Sequence, residues 1–147
     1  MTRVALLDVN VLVALFDSDH VHHNSAHEWF AANRESGWAT CPLTENGLVR
    51  VLSNVAYAGV PYQPAAIVKR LEQFCASGHH GFWPDAISLR DPRLFDRTVA
   101  VTHRQITDVY LLGLARNQGG RLATFDRGIP VAAVVGADSG YLEVIPA

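Results

Sequence analysis

A chain of 147 residues, 49% hydrophobic and 18% charged, has the composition of one folded domain spanning 1–147, able to bury about two thirds of its unfolded surface without staples. Its net charge of −2 excludes a global positive field, so any nucleic-acid contact must come from a local patch. No apolar run approaches the ~18 residues of a membrane span, MTRVALLDV is a poor signal peptide, and Cys41 and Cys75 stand in unrelated contexts, which points to free thiols in a reducing, cytoplasmic setting.

The predicted elements alternate. Residues 4–7 form a short β-branched and leucine run, fit for a buried parallel strand. Residues 10–16 read as a helix broken by Asp17-Ser18-Asp19, and 22–33 as a second helix with Ala26, Trp29 and Phe30 on one face. Residues 37–41 read as a strand stopped by Pro42. Residues 43–57 carry apolar side chains at helical spacing (48, 49, 52 and 55). Pro64 opens a further helix that runs to Cys75 and ends near Gly78. Residues 81–84 suggest a third strand, 105–117 a helix with Thr107 as N-cap and Gly119-Gly120 as its stop, 121–125 a fourth strand and 141–145 a fifth. Residues 85–103 and 128–140 read as long loops. This alternation predicts an α/β fold, a parallel sheet with helices on both faces.

The acids take on meaning against that map. Asp8 interrupts the apolar stretch LLDVNVLVAL at the end of the first strand, where an unpaired buried carboxylate costs several kcal/mol. Asp126 ends the fourth strand. Glu45 falls in the first turn of the helix after strand two, and Asp108 in the first turn of the helix before strand four. Open parallel sheets bind ligands outside the carboxyl ends of their strands, so four acids distant in sequence can meet at one edge. Two carboxylates about 5 Å apart repel by about 3 kcal/mol at an effective dielectric near 20. Four together need a cation or must take up protons, and all-oxygen ligation suits Mg²⁺ or Mn²⁺. Taken singly, each acid also has a plain structural role: Asp8 as a helix cap, Asp126 as a turn former, Glu45 and Asp108 as partners of a helix macrodipole.

LLDVNVLVAL, TENGLVRVL, ITDVYLLGLA and LATFDRG resemble the four acidic motifs of PIN domains, most closely the VapC-type toxins of bacterial type II toxin–antitoxin systems, in a branch well represented in mycobacteria. The resemblance covers nearly the whole chain, including HHNSAHEWF, GWATCPLTENG and ISLRDPRLFD. It implies a three-layer α/β/α sandwich, Mg²⁺-dependent endoribonuclease activity on transfer or ribosomal RNA, homodimerisation, and neutralisation by a cognate VapB-type antitoxin. It further implies that Asp8 and Asp108 are the principal metal ligands, that Glu45 and Asp126 complete the catalytic acids, and that Asn10 and Thr124 are polar supports.

Asn10 reads either as a donor that fixes Asp8 or as a helix N-cap. In the general chemistry of such a site, Glu45 or Asp126 would orient or deprotonate the attacking water. Arg90, Arg93, Arg97 and Arg104 cluster in the loop before Asp108 and read either as phosphate-binding cations or as a solvated face paired with Asp91 and Asp96. His20, His22, His23 and His27 lack an obvious further zinc ligand and read as surface or capping residues. His79 and His80 have no assignable role, and the three tryptophans read as core or dimer contacts. A haloacid-dehalogenase-like phosphotransferase also begins with a strand ending in Asp, but it needs a second Asp where Asn10 stands and a late lysine, whereas Lys69 is the sole lysine. The other alternative is a catalytically silent PIN-fold interaction module, against which the four intact acids argue.

Overall fold

The computed structural model describes residues 3–58 and 62–147. Five parallel strands form one sheet: β1 (Ala5–Leu7), β2 (Trp38–Thr40), β3 (His80–Phe82), β4 (Arg121–Thr124) and β5 (Leu142–Val144), in the order β3-β2-β1-β4-β5. The strands are only three or four residues long, yet every residue of β1 and β2 is buried. Burial on both sides is what a sheet sandwiched between helices demands, and it explains why the strands read as apolar runs.

Alternation along the strands sorts side chains into two cores. Ala5, Leu7, Trp38 and Ala123 face a layer built from α1 (Val9–Phe16), α2 (His23–Asn33), α3 (Pro42–Leu52) and α5 (Pro64–Cys75). Leu6, Ala39 and Leu122 face α6 (Ile106–Asn117) and the long loops on either side of it. The loops are well anchored: Phe95 is buried, forms an isolated antiparallel bridge with Val134, and fills the second core. The architecture is the expected α/β/α sandwich.

Three sequence expectations change in detail. The helix expected over 43–57 is two helices, α3 and α4 (Val55–Ala58). Ser53 ends the first, its hydroxyl donating back to the Val49 carbonyl at 2.6 Å, and the Asn54 side chain accepts from the Ala56 amide to start the second. Such local bonds compete with helix continuation. Pro42 does more than stop β2, because it opens α3 at N1, where its missing N–H costs nothing. Thr107 is not an N-cap: the N-cap position falls two residues earlier, at Gln105, whose side chain is tied to the Thr102 amide and the Gly128 carbonyl.

Two of the four histidines expected to be surface or capping residues, His23 and His27, close the end of α1. His23 Nδ1 lies 2.7 Å from the Ala14 carbonyl and His27 Nε2 lies 3.0 Å from that of Leu15. Both carbonyls belong to the last turn of α1, where the helix supplies no partners of its own. Trp29 and Trp38 are buried in the first core, and Trp83 packs against the second. Cys41 and Cys75 are both free thiols.

Candidate active site

In the strand order 3-2-1-4-5, the connection after β1 runs towards β2 and that after β4 towards β5, on opposite sides, and the crevice between β1 and β4 is the place such sheets offer a ligand. Asp8 follows β1 there, its amide held by the Ala123 carbonyl of β4 at 3.0 Å. Asp8 is 4% exposed and doubly held: one oxygen accepts from the Val9 amide at 2.7 Å, the other from the Thr124 hydroxyl at 2.7 Å. It therefore caps α1 and faces the crevice at once. Burial raises its pKa, against the lowering effect of these two hydrogen bonds, and the Asp126 charge raises it further.

Thr124 organises the corner. Its fully buried hydroxyl donates to Asp8 and accepts from the Asp126 amide at 3.0 Å and from Asn10 Nδ2 at 3.4 Å, using its one donor and both acceptor sites. Asn10 is thus one step further from Asp8 than expected. It sits inside the first turn of α1, so it is not the N-cap, and it braces Thr124 while its carbonyl oxygen accepts from the Phe125 amide. Asp126 forms the expected turn, accepting from the Gly128 amide at 2.7 Å.

Asp108 comes in from the first turn of α6. Burial, the Asp8 charge and the close approach of Asp126 push its carboxyl up to about 7. Three of the four sequence-predicted acids therefore meet, and their mutual repulsion is written into the protonation of one of them.

Glu45 does not join them. On α3 it lies about 200° round the helix from Leu43, and it is Leu43, Gly47 and Arg50 that line the cavity with Asp8 and Asp108. Glu45 Oε2 accepts from the Thr40 hydroxyl at 2.6 Å. Thr40 has the same strand parity as Trp38, so this carboxylate belongs to the layer of α3 and α5, while Asp8, Thr124 and Asp108 belong to the α6 side. The sequence places Glu45 at the right edge of the sheet. Which way its side chain turns depends on the helix's rotation about its axis, which spacing alone does not reveal.

The cavity beside the acids measures about 420 Å³. Its cation is Arg50, an exposed residue of α3, and His20 also lines it. None of the four loop arginines does. Arg93 pairs with Asp91 at 2.8 Å on the surface, as the solvated-face reading has it, whereas Asp96 instead accepts from Thr98. Arg97 lines a separate cavity, and Arg90 and Arg104 are exposed. Sequence reading overlooked Arg50 because a lone arginine in a helix carries no signal. The one available clue was its place on the Leu43–Gly47 face.

A doubly wound parallel sheet with a carboxylate group at its switch point defines a class of site that binds a hard cation. Three buried or half-buried acids, all-oxygen donors with one carboxyl raised to about 7, fit a divalent ion of the Mg²⁺ or Mn²⁺ type. The chain belongs to the PIN-domain family, whose model matches residues 5–135. It is 42% identical over 141 residues to Ribonuclease VapC44 of Mycobacterium tuberculosis, covering 96% of this chain and 99% of that protein. Ribonuclease VapC39 of the same species is 43% identical over the same shares, and Ribonuclease VapC38 is 48% identical over 86% of this chain and 87% of its own length.

Proposed function

We propose that this protein is a divalent-metal-dependent endoribonuclease, the toxin of a type II toxin–antitoxin system, which cleaves transfer or ribosomal RNA to halt translation. The observation that carries this reading is the meeting of Asp8, Asp108 and Asp126 at the β1–β4 crevice with Asp108 raised to about 7. The close similarity to proteins named ribonucleases supports it.

Asp8 and Asp108 would hold the ion, with Asp126 as the third carboxylate. A bound Mg²⁺ or Mn²⁺ supplies the charge that polarises a phosphodiester and acidifies water. Thr124 keeps the Asp8 carboxylate in one orientation, and Asn10 keeps Thr124 in place. Asp126 is better placed than Glu45 to take the proton of the attacking water, since it stands beside the other two acids. Arg50, which lines the same cavity, would receive a phosphate of the RNA, which its planar guanidinium suits.

The protein would act in the cytoplasm as a homodimer. Among the described residues no helix is long and apolar enough to cross a membrane. A cognate VapB-type antitoxin would lay an amphipathic segment along α3 to α5, where Leu43, Val55, Tyr57 and Val68 are exposed.

The test is incubation of the purified protein with total cellular RNA in Mg²⁺, followed by mapping of the new ends. Discrete cuts that disappear in chelator and in Asp108→Asn are expected. Intact RNA with folded wild-type protein in both Mg²⁺ and Mn²⁺ would overturn the reading.

A further inference from the structure

Glu45, which stands apart from the other acids, has company of a different chemistry. It lies in the first turn of α3; Cys75 is the last residue of α5, and His80 is the first residue of β3. One ligating atom from each lies within 4.8 Å of the other two. Thr40, fully buried at the end of β2, links two of the three: its hydroxyl is 2.6 Å from Glu45 Oε2 and 2.8 Å from His80 Nε2.

We propose that Glu45, Cys75 and His80 form a second metal site, selective for Zn²⁺ or another thiophilic divalent cation and separate from the carboxylate group at β1 and β4. A thiolate, an imidazole and a carboxylate are the donors that zinc takes, three from the protein with a fourth position left to water. Thiolate and carboxylate together bring two negative charges, which balance the ion. Ligand atoms around tetrahedral zinc stand about 3.3–3.8 Å apart, given bonds of about 2.0–2.3 Å. The three atoms here therefore close on an ion by roughly an ångström or less. Thr40 supplies the outer hydrogen bond that a metal-bound carboxylate characteristically carries.

The donor types also separate this site from its neighbour. Mg²⁺ prefers oxygen alone, so it selects the three aspartates, while sulfur and nitrogen select the softer ion. An ion held here would tie the first turn of α3 to the α5–β3 corner and keep Glu45 on the α5 side of the sheet. The inference does not depend on the nuclease reading.

Cobalt is the discriminating probe, because only a thiolate ligand gives a sulfur-to-cobalt charge-transfer band in the near ultraviolet. The full-length protein, titrated with Co²⁺, is expected to show that band and to keep it in Asp108→Asn and in Cys41→Ser. It should vanish in Cys75→Ser and weaken in His80→Ala. Stoichiometric Zn²⁺ should bleach it, and millimolar Mg²⁺ should not. Melting curves without metal establish that each variant is folded. Zn²⁺ should raise the melting temperature of the wild type but not that of Cys75→Ser. Absence of the band in folded wild type, or its survival in folded Cys75→Ser, would overturn the proposal whatever the nuclease assay shows.

Discussion

Thr124 is the residue on which the carboxylate corner turns. A valine there has nearly the same shape but leaves a buried oxygen of Asp8 without its donor, and it strips a partner from the Asp126 amide and from Asn10. Losing one partner of a buried polar pair costs about 1–3 kcal/mol. Thr124→Val is therefore expected to lower stability by that amount and to weaken Mg²⁺ binding, while Thr124→Ser restores most of both. Urea melts and a Mg²⁺ titration check this, and a Val variant as stable as wild type would remove Thr124 from the corner. Asp108→Asn behaves in the opposite sense. It keeps a polar group in the first turn of α6 and removes one charge from a crowded set, so metal-free stability should hold or rise. RNA cleavage should fall by at least ~100-fold, since an anionic ligand becomes neutral. A cleavage rate equal to wild type would end the assignment of Asp108.

At the level of elements, α1 and α3 cross closely at Gly47, which lines the cavity together with Val9. A Cβ placed there would meet Val9 Cγ2 at 2.6 Å, a distance at which either the Val9 side chain or one of the helices must shift. Gly47→Ala is expected to destabilise by about 1–3 kcal/mol through overpacking, despite the better helix propensity of alanine. Val9→Ala should rescue part of the loss by making room, which a double-mutant melt would reveal; additive losses would show that the crossing is not the cause. Much of this layer was legible in the sequence. Strands read as apolar runs because both faces are covered, and the proline at 64 marks a helix start, whereas the proline at 42 read only as the stop of β2 although it also opens α3. Asp8 was conspicuous because no apolar strand end needs a carboxylate. What stayed hidden was rotational. Periodicity gives a helix its apolar stripe, but Glu45 and Arg50 lie off that stripe, and only packing against α1 and α5 decides which of them faces the acids. The break at Ser53 and Asn54 was equally hidden, since it rests on two side-chain bonds to backbone and not on a helix-breaking residue type.

For the whole molecule, the site makes folding and metal binding respond to pH in opposite directions. Without metal, the folded-state pKa of Asp108 lies near 7, above the value of about 4 in an unfolded chain, and Asp8 is shifted the same way. A carboxyl raised on folding holds its proton in the native state. Its contribution to stability is complete below about pH 4 and is lost as pH rises through about 7. After discounting for the half-exposed position of Asp108, the loss is on the order of 1–2 kcal/mol. His20 and His80, whose pKa values burial lowers, oppose this trend, because neutral imidazoles gain stability as pH rises. The quantity to measure is therefore the difference between wild type and Asp108→Asn, in which the histidines cancel. Relative to the variant, metal-free wild type should become less stable from pH 5 to pH 8. Mg²⁺ binds the deprotonated group in the folded state, so millimolar Mg²⁺ should erase that decline at pH 8 and do little at pH 5. The variant should respond weakly at either pH. Parallel melting profiles for the two proteins, unchanged by Mg²⁺ across the range, would mean that the three aspartates share an edge of the sheet without sharing an ion.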